Sequence, residues 1–96
     1  MAESDVVITN PTHFAVALKY DAAETNAPMV NAKGEDFMAQ RIKEIAREND
    51  IPIVENRPLA RGLYAEVELG AIIPDSYFKA ISVVYSHLKK FSKSAS

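Results

Sequence analysis

An α/β domain, a small mixed sheet of about four strands surrounded by about four helices, is the fold class that three observations predict. Short apolar runs with a period of two alternate along the chain with longer stretches whose apolar residues recur at helical spacing. The 96 residues carry 48% hydrophobic and 25% charged content, enough apolar material for one modest core. No internal repeat or low-complexity linker divides the chain, so residues 1–96 read as a single domain with a flexible tail at 91–96.

The elements follow in order. Residues 5–9, around Val6-Val7-Ile8, read as a first strand. Residues 14–20 read as a second, with Phe14, Val16 and Leu18 on one face and Ala15, Ala17 and Lys19 on the other. A polar loop over 21–27 leads to a short third strand at 28–32, which its proline suits to an edge. Gly34 is read as opening a helix over 35–49. Its apolar side is Phe37, Met38, Ile42, Ile45 and Ala46, and Arg41, Lys43, Glu44, Arg47 and Glu48 occupy the rest. Residues 51–55 form a fourth strand. Pro58 suits the first turn of a helix that carries Leu59, Leu63, Tyr64 and Val67 and is ended by Gly70. Pro74, Asp75 and Ser76 start a last helix with Phe78, Ile81, Val84, Tyr85 and Leu88 as its stripe, ending near Lys90.

Composition excludes several classes of function. With no cysteine, disulfides, thiol catalysis and cysteine metal sites are absent. His13 and His87 stand on separate elements with no partner at ligand spacing, so no metal and no cofactor is expected. Ala32-Lys33-Gly34 lacks the further glycines of a phosphate loop. A net charge of −2 argues against nucleic acid, and the cluster Lys89, Lys90 and Lys93 fits the C-terminus of a helix. No run approaches the roughly 20 apolar residues that cross a bilayer, and residues 1–4 are too short and polar for a secretory signal.

One segment carries chemistry: Asn10-Pro11-Thr12-His13, between the first two strands. An asparagine side-chain amide can attack its own backbone carbonyl, close a five-membered succinimide and expel the next residue's amine. Asn10 is then the nucleophile and Pro11 the leaving group. Because proline has no N–H, the commoner attack by the following amide on the asparagine side chain is closed. Asn-Pro and Pro-Thr are turn signals, and a turn pinned by two strands can hold the reacting atoms together. His13 could take a proton from the amide or return one to the departing nitrogen, and Thr12 could fix the turn through its hydroxyl. A plain turn carrying a surface histidine is the bland alternative.

The motif does not stand alone. With Ala15-Val16-Ala17-Leu18-Lys19-Tyr20, Ala27-Pro28, Ala32-Lys33-Gly34, Ile51-Pro52-Ile53 and Pro58-Leu59-Ala60-Arg61-Gly62-Leu63-Tyr64, it resembles the cytoplasmic domain of the FlhB/YscU family of type III secretion export-switch proteins. The resemblance runs over about residues 5–88, and the stretches 27–34 and 70–74 look more like the flagellar branch than the injectisome branch.

The resemblance implies a domain at the cytoplasmic face of the bacterial inner membrane, following transmembrane helices. No such helix precedes Glu3, so the chain reads as a soluble fragment of that larger protein. It implies one self-cleavage between Asn10 and Pro11, supported by Thr12 and His13, after which the two pieces stay associated. It implies a switch from rod and hook cargo to filament cargo. The implied partners are those export substrates, the hook-length control protein and other membrane components of the export gate. Pro58, Leu59, Ala60 and Arg61 are a candidate partner contact, against which stands the core spacing of Leu59, Leu63 and Tyr64. A non-cleaving module that binds cargo or a partner is the alternative function.

Overall fold

The computed structural model describes residues 1–11, 13–21, 23 and 25–88. A four-stranded mixed sheet is assembled from β1 (Val6–Asn10), β2 (Phe14–Lys19), β3 (Met29–Glu35) and β4 (Ile53–Glu55), in the order β3-β2-β1-β4. β1 and β2 form an antiparallel hairpin, β3 continues it antiparallel, and β4 lies parallel on the other side of β1. Three helices pack on this sheet: α1 (Phe37–Glu48), α2 (Arg57–Glu66) and α3 (Phe78–Ser86), the last preceded by a 3₁₀ turn at Asp75–Tyr77.

Both faces of the central hairpin are covered. On one, Val7, Ala15 and Ala17 meet Ala39, Ile42 and Ala46 of α1, and the small side chains let the helix lie close. On the other, Val6, Ile8, Val16 and Leu18 meet Leu59, Ala60 and Leu63 of α2 and Ile81 and Val84 of α3. The alternation along β2 therefore sorts its residues between two cores, as its period predicts.

The junction of β3 and α1 departs from the sequence reading. β3 runs on through Gly34, and the chain turns at Asp36, whose φ of 49° is one that aspartate tolerates better than most residues. Gly34 serves close approach instead of starting the helix: a Cβ there would lie 2.7 Å from Met38 Cβ, so α1 can cross the strand only over a glycine. The later start also shifts the buried face to Ala39, Ile42 and Ala46, with Ile45 half-buried. At 100° per residue that face leaves Phe37 nearly opposite and Met38 on the flank, and they are 81% and 53% exposed.

α2 opens as its sequence requires. The Asn56 side chain accepts the Leu59 N–H at 3.2 Å, and Pro58 occupies the first turn, where no N–H is needed. At the other end the Lys33 ammonium, from β3, donates to the carbonyls of Tyr64 and Val67 at 2.9 and 3.0 Å. The helix leaves its last turn at Val67, before Gly70, whose φ of 85° turns the following loop. α3 ends at Ser86 with His87 as its cap, short of the end near Lys90 that the sequence reading gave, and the basic cluster and tail of that reading lie outside the described residues.

Two tyrosines tie the helices down. Tyr85 donates to the buried Asp5 carboxylate at 3.0 Å, and the Tyr20 N–H reaches the same carboxylate at 2.6 Å. Tyr77 donates to Glu66 at 2.5 Å. Burial first, then the charge of Asp5, pushes the Tyr85 phenol well above its ordinary value. The bond to Glu66 and some burial push Tyr77 up to about 12.

Both phenols keep their protons longer in the folded chain than in the unfolded one. Their contribution is complete below about pH 10, where an unfolded tyrosine titrates, and is lost as pH rises from there. Urea unfolding between about pH 8 and 11 should show falling stability above pH 10. Tyr85→Phe should flatten that fall, and an unchanged slope would remove Tyr85 as its source.

Candidate functional site

The hairpin brings Asn10 to the last register position of β1, opposite Phe14, with residues 11–13 as the connection. The His13 N–H donates to the Asn10 carbonyl at 2.9 Å, closing a four-residue turn. Thr12, the third residue of the motif, lies outside the described residues. The two carbonyls that follow in the described turn are also held. Pro11 C=O accepts from the Lys43 ammonium of α1 at 3.1 Å, and His13 C=O accepts from the Asp36 N–H at 2.7 Å. Just upstream, the Asn56 N–H donates to Thr9 C=O at 2.9 Å. The segment is thus anchored by its own hairpin, by α1 and by the start of α2.

Side chains frame the turn on the α2 side. The Phe14 ring stacks on Tyr64 with centroids 4.7 Å apart, and the His13 ring lies tilted to Phe14 at 6.0 Å. Tyr64 donates to Glu35 at 3.1 Å, which holds its phenol above the ordinary value, and its ring lies under the Lys33 ammonium. The His13 imidazole faces Asp36, Nδ1 to Oδ1 at 3.7 Å, with both side chains largely in solvent. A pocket of about 350 Å³ is lined by Asn10, His13, Phe14 and Arg61.

The structure therefore joins two segments that the sequence keeps fifty residues apart: Arg61 of α2 lines the same pocket as Asn10 and His13. Within the Pro58–Arg61 stretch the roles divide. Leu59 and Ala60 are core residues, 5% and 0% exposed, while Pro58 and Arg61 are open to solvent. In the sequence Lys43 reads as one member of a charged helix face, since helical spacing does not show its contact with Pro11.

Chemically, the His13 N–H sits on the oxygen that would carry negative charge if the Asn10 carbonyl were attacked, the placement that stabilises such charge most effectively. Among the described residues the Asn10 side chain makes no hydrogen bond to another group.

At the opposite end of the hairpin, beyond Tyr20, a more apolar pocket of about 410 Å³ opens between Ala27, Pro28, Ile73, Phe78, Ile81 and Tyr85. No helix among the described residues is long and apolar enough to cross a membrane.

Comparison with known proteins gives these features a lineage. The family model described as the FlhB HrpN YscU SpaS family matches residues 1–88. The chain belongs to this family. The flagellar biosynthetic protein FlhB of Bacillus subtilis is 48% identical over 88 residues, which are 92% of this chain and 24% of the relative. The chain thus spans about a quarter of the length of the curated FlhB proteins it matches.

Solved members of the FlhB/YscU family share the fold. The cytoplasmic domain of FlhB from Shewanella putrefaciens superposes with a TM-score of 0.85 at 41% identity, over 97% of this chain and 74% of that one. The C-terminal domain of EscU, bearing an asparagine-to-alanine substitution, gives 0.82 at 36% identity, over 85% and 82%. That EscU domain is also known with the proline after the asparagine replaced, and with a histidine two residues further on replaced.

Proposed function

We propose that this chain is the switch domain of a flagellar type III protein export apparatus and that it cuts itself once, between Asn10 and Pro11. Asn10 Nδ2 attacks the Asn10 carbonyl carbon, and the His13 N–H holds the developing oxyanion. As the tetrahedral centre collapses, the carbon–nitrogen bond to Pro11 breaks, and the proton given up by Nδ2 goes to the Pro11 nitrogen. Residues 1–10 then end in a succinimide that water opens, and residues 11–96 begin with a free proline. The reaction is a single intramolecular turnover that draws on no cofactor.

The observation that carries this reading is the His13 N–H on the scissile carbonyl, in a turn whose described carbonyls are all anchored. Family membership supports it, as does the EscU series, whose substitutions have the order and spacing of Asn10, Pro11 and His13. In this reading the domain sits at the cytoplasmic face of the inner membrane as part of a multi-pass protein, with the export gate's other membrane components. Rod, hook and filament proteins and the hook-length control protein are its partners, and cleavage passes export from rod and hook cargo to filament cargo. Thr12 supports the turn.

An intact-mass time course of freshly purified protein under denaturing conditions tests the chemistry. Accumulation of 1–10 and 11–96 is the expected result, and a chain that stays whole for days at neutral pH overturns it. His13→Ala, which keeps the backbone N–H and removes the imidazole, should cleave more slowly, and an unchanged rate would leave His13 with its backbone role alone.

A second reading, a non-cleaving cargo or partner-binding module, is favoured by the apolar pocket beyond Tyr20, which lies at the far end of the hairpin from the turn. Asn10→Ala separates the two. Under the first reading it locks export on early cargo; under the second, cargo selection is unchanged.

A further inference from the structure

The bond from Lys43 to the turn spans 32 residues of sequence and joins α1 to the residue that leaves. Lys43 could have stayed in water, as lysines on surface helices usually do. Among the described residues no carboxylate lies within ion-pair distance of its ammonium, so its charge is directed at the Pro11 carbonyl alone. A charge-assisted bond of 3.1 Å to a backbone oxygen fixes the plane of the peptide that follows Pro11.

We infer that Lys43 is a positioning residue for cleavage of the Asn10–Pro11 bond, an inference that rests on the self-cleavage reading above. The pyrrolidine ring locks φ at Pro11, and holding the carbonyl locks ψ. On the other side, the His13 N–H holds the Asn10 carbonyl. The two peptide planes that flank Pro11 are therefore anchored from different elements, and the leaving nitrogen cannot swing away from the attacking amide. Lys43 touches neither reacting atom. It acts by keeping the leaving group still, so its loss lowers the fraction of turns in attack geometry while the hairpin ladder and both cores remain.

The test compares cleavage rates, by intact mass, of the unsubstituted chain, Lys43→Met and Lys43→Arg. Thermal unfolding is measured with each substitution placed in an Asn10→Ala background, where no cut can confuse the result. Lys43→Met should cleave roughly tenfold more slowly, within the range that small misplacements of reacting groups produce. Lys43→Arg, which keeps a cation and its donors, should retain most of the rate. The uncleavable Lys43→Met protein should melt with its Asn10→Ala parent.

Cleavage of Lys43→Met at the unsubstituted rate overturns the inference. Equal slowing of both variants with a matching fall in melting temperature overturns it too, reducing the bond to a stitch between helix and hairpin. An unsubstituted chain that never cuts refutes the self-cleavage reading itself, so the two failures are distinguishable.

Discussion

Alanine at position 10 is expected to leave the chain whole for as long as it can be kept, while the asparagine form cuts on the scale of hours or less. The size of the difference follows from barrier heights. Lowering a barrier from ~28 to ~22 kcal/mol changes a half-life of about a year into roughly half an hour. About 6 kcal/mol is within what fixed geometry supplies to an intramolecular reaction. Alanine has no nucleophile, so neither geometry nor the His13 N–H has anything to act on. Structural cost does not confuse the outcome: Asn10 is half-buried at a strand end, and its side chain holds no other group among the described residues. A substitution of that kind shifts stability by about 0.5 kcal/mol or less. Mass spectra of the two proteins over the same days decide the matter, and cutting of Asn10→Ala at a comparable rate would exclude asparagine cyclisation.

The parts of this domain that sequence could show are those set by local rules. The hairpin is legible because Val6-Val7-Ile8 and residues 14–19 carry strand patterns on either side of an Asn-Pro turn signal, and the observed register closes on that turn. Pro58 marks the start of α2 through its missing N–H, and the stripe at Ile81 and Val84 marks α3. What escaped depends on parts that meet only after folding. Gly34 looks like a helix opener until α1 is laid across β3 and Met38 leaves no room for a Cβ. Phe37 and Met38 look like core until the start of the helix fixes the phase of its buried face. The parallel pairing of β4 with β1 has no local signature. Of the site, Asn10, Pro11 and His13 were readable as a motif, whereas Lys43 and the nearness of Arg61 were not, because each reaches the turn from an element distant in sequence.

After a cut, residues 1–10 should remain with the domain in the native sequence and be lost from it in Ile8→Ala. β1 is the wrong strand to release easily. It pairs with β2 through five register positions and with β4 through three, and Val6, Val7 and Ile8 are all 0% exposed. Ahead of it, Asp5 receives the Tyr20 N–H and the Tyr85 hydroxyl, so the fragment is also fastened to α3. Ile8 is among the largest fully buried side chains. Truncating such a residue to alanine costs about 2–5 kcal/mol, by lost transfer energy and the cavity left behind. While the chain is continuous, that cost appears only as a lower unfolding midpoint, because the tether keeps β1 at high effective concentration. Once the Asn10–Pro11 bond is gone, the same energy weakens a bimolecular equilibrium by roughly 30- to 4,000-fold. Gel filtration of fully cleaved protein, followed by denaturing mass analysis of the main peak, reads this directly. The native fragment should co-elute and the Ile8→Ala fragment should be missing, with uncleavable Asn10→Ala/Ile8→Ala still folded as the control. Equal retention of both fragments would mean that backbone pairing with β2 and β4, and not burial of β1 side chains, keeps the cut switch in one piece.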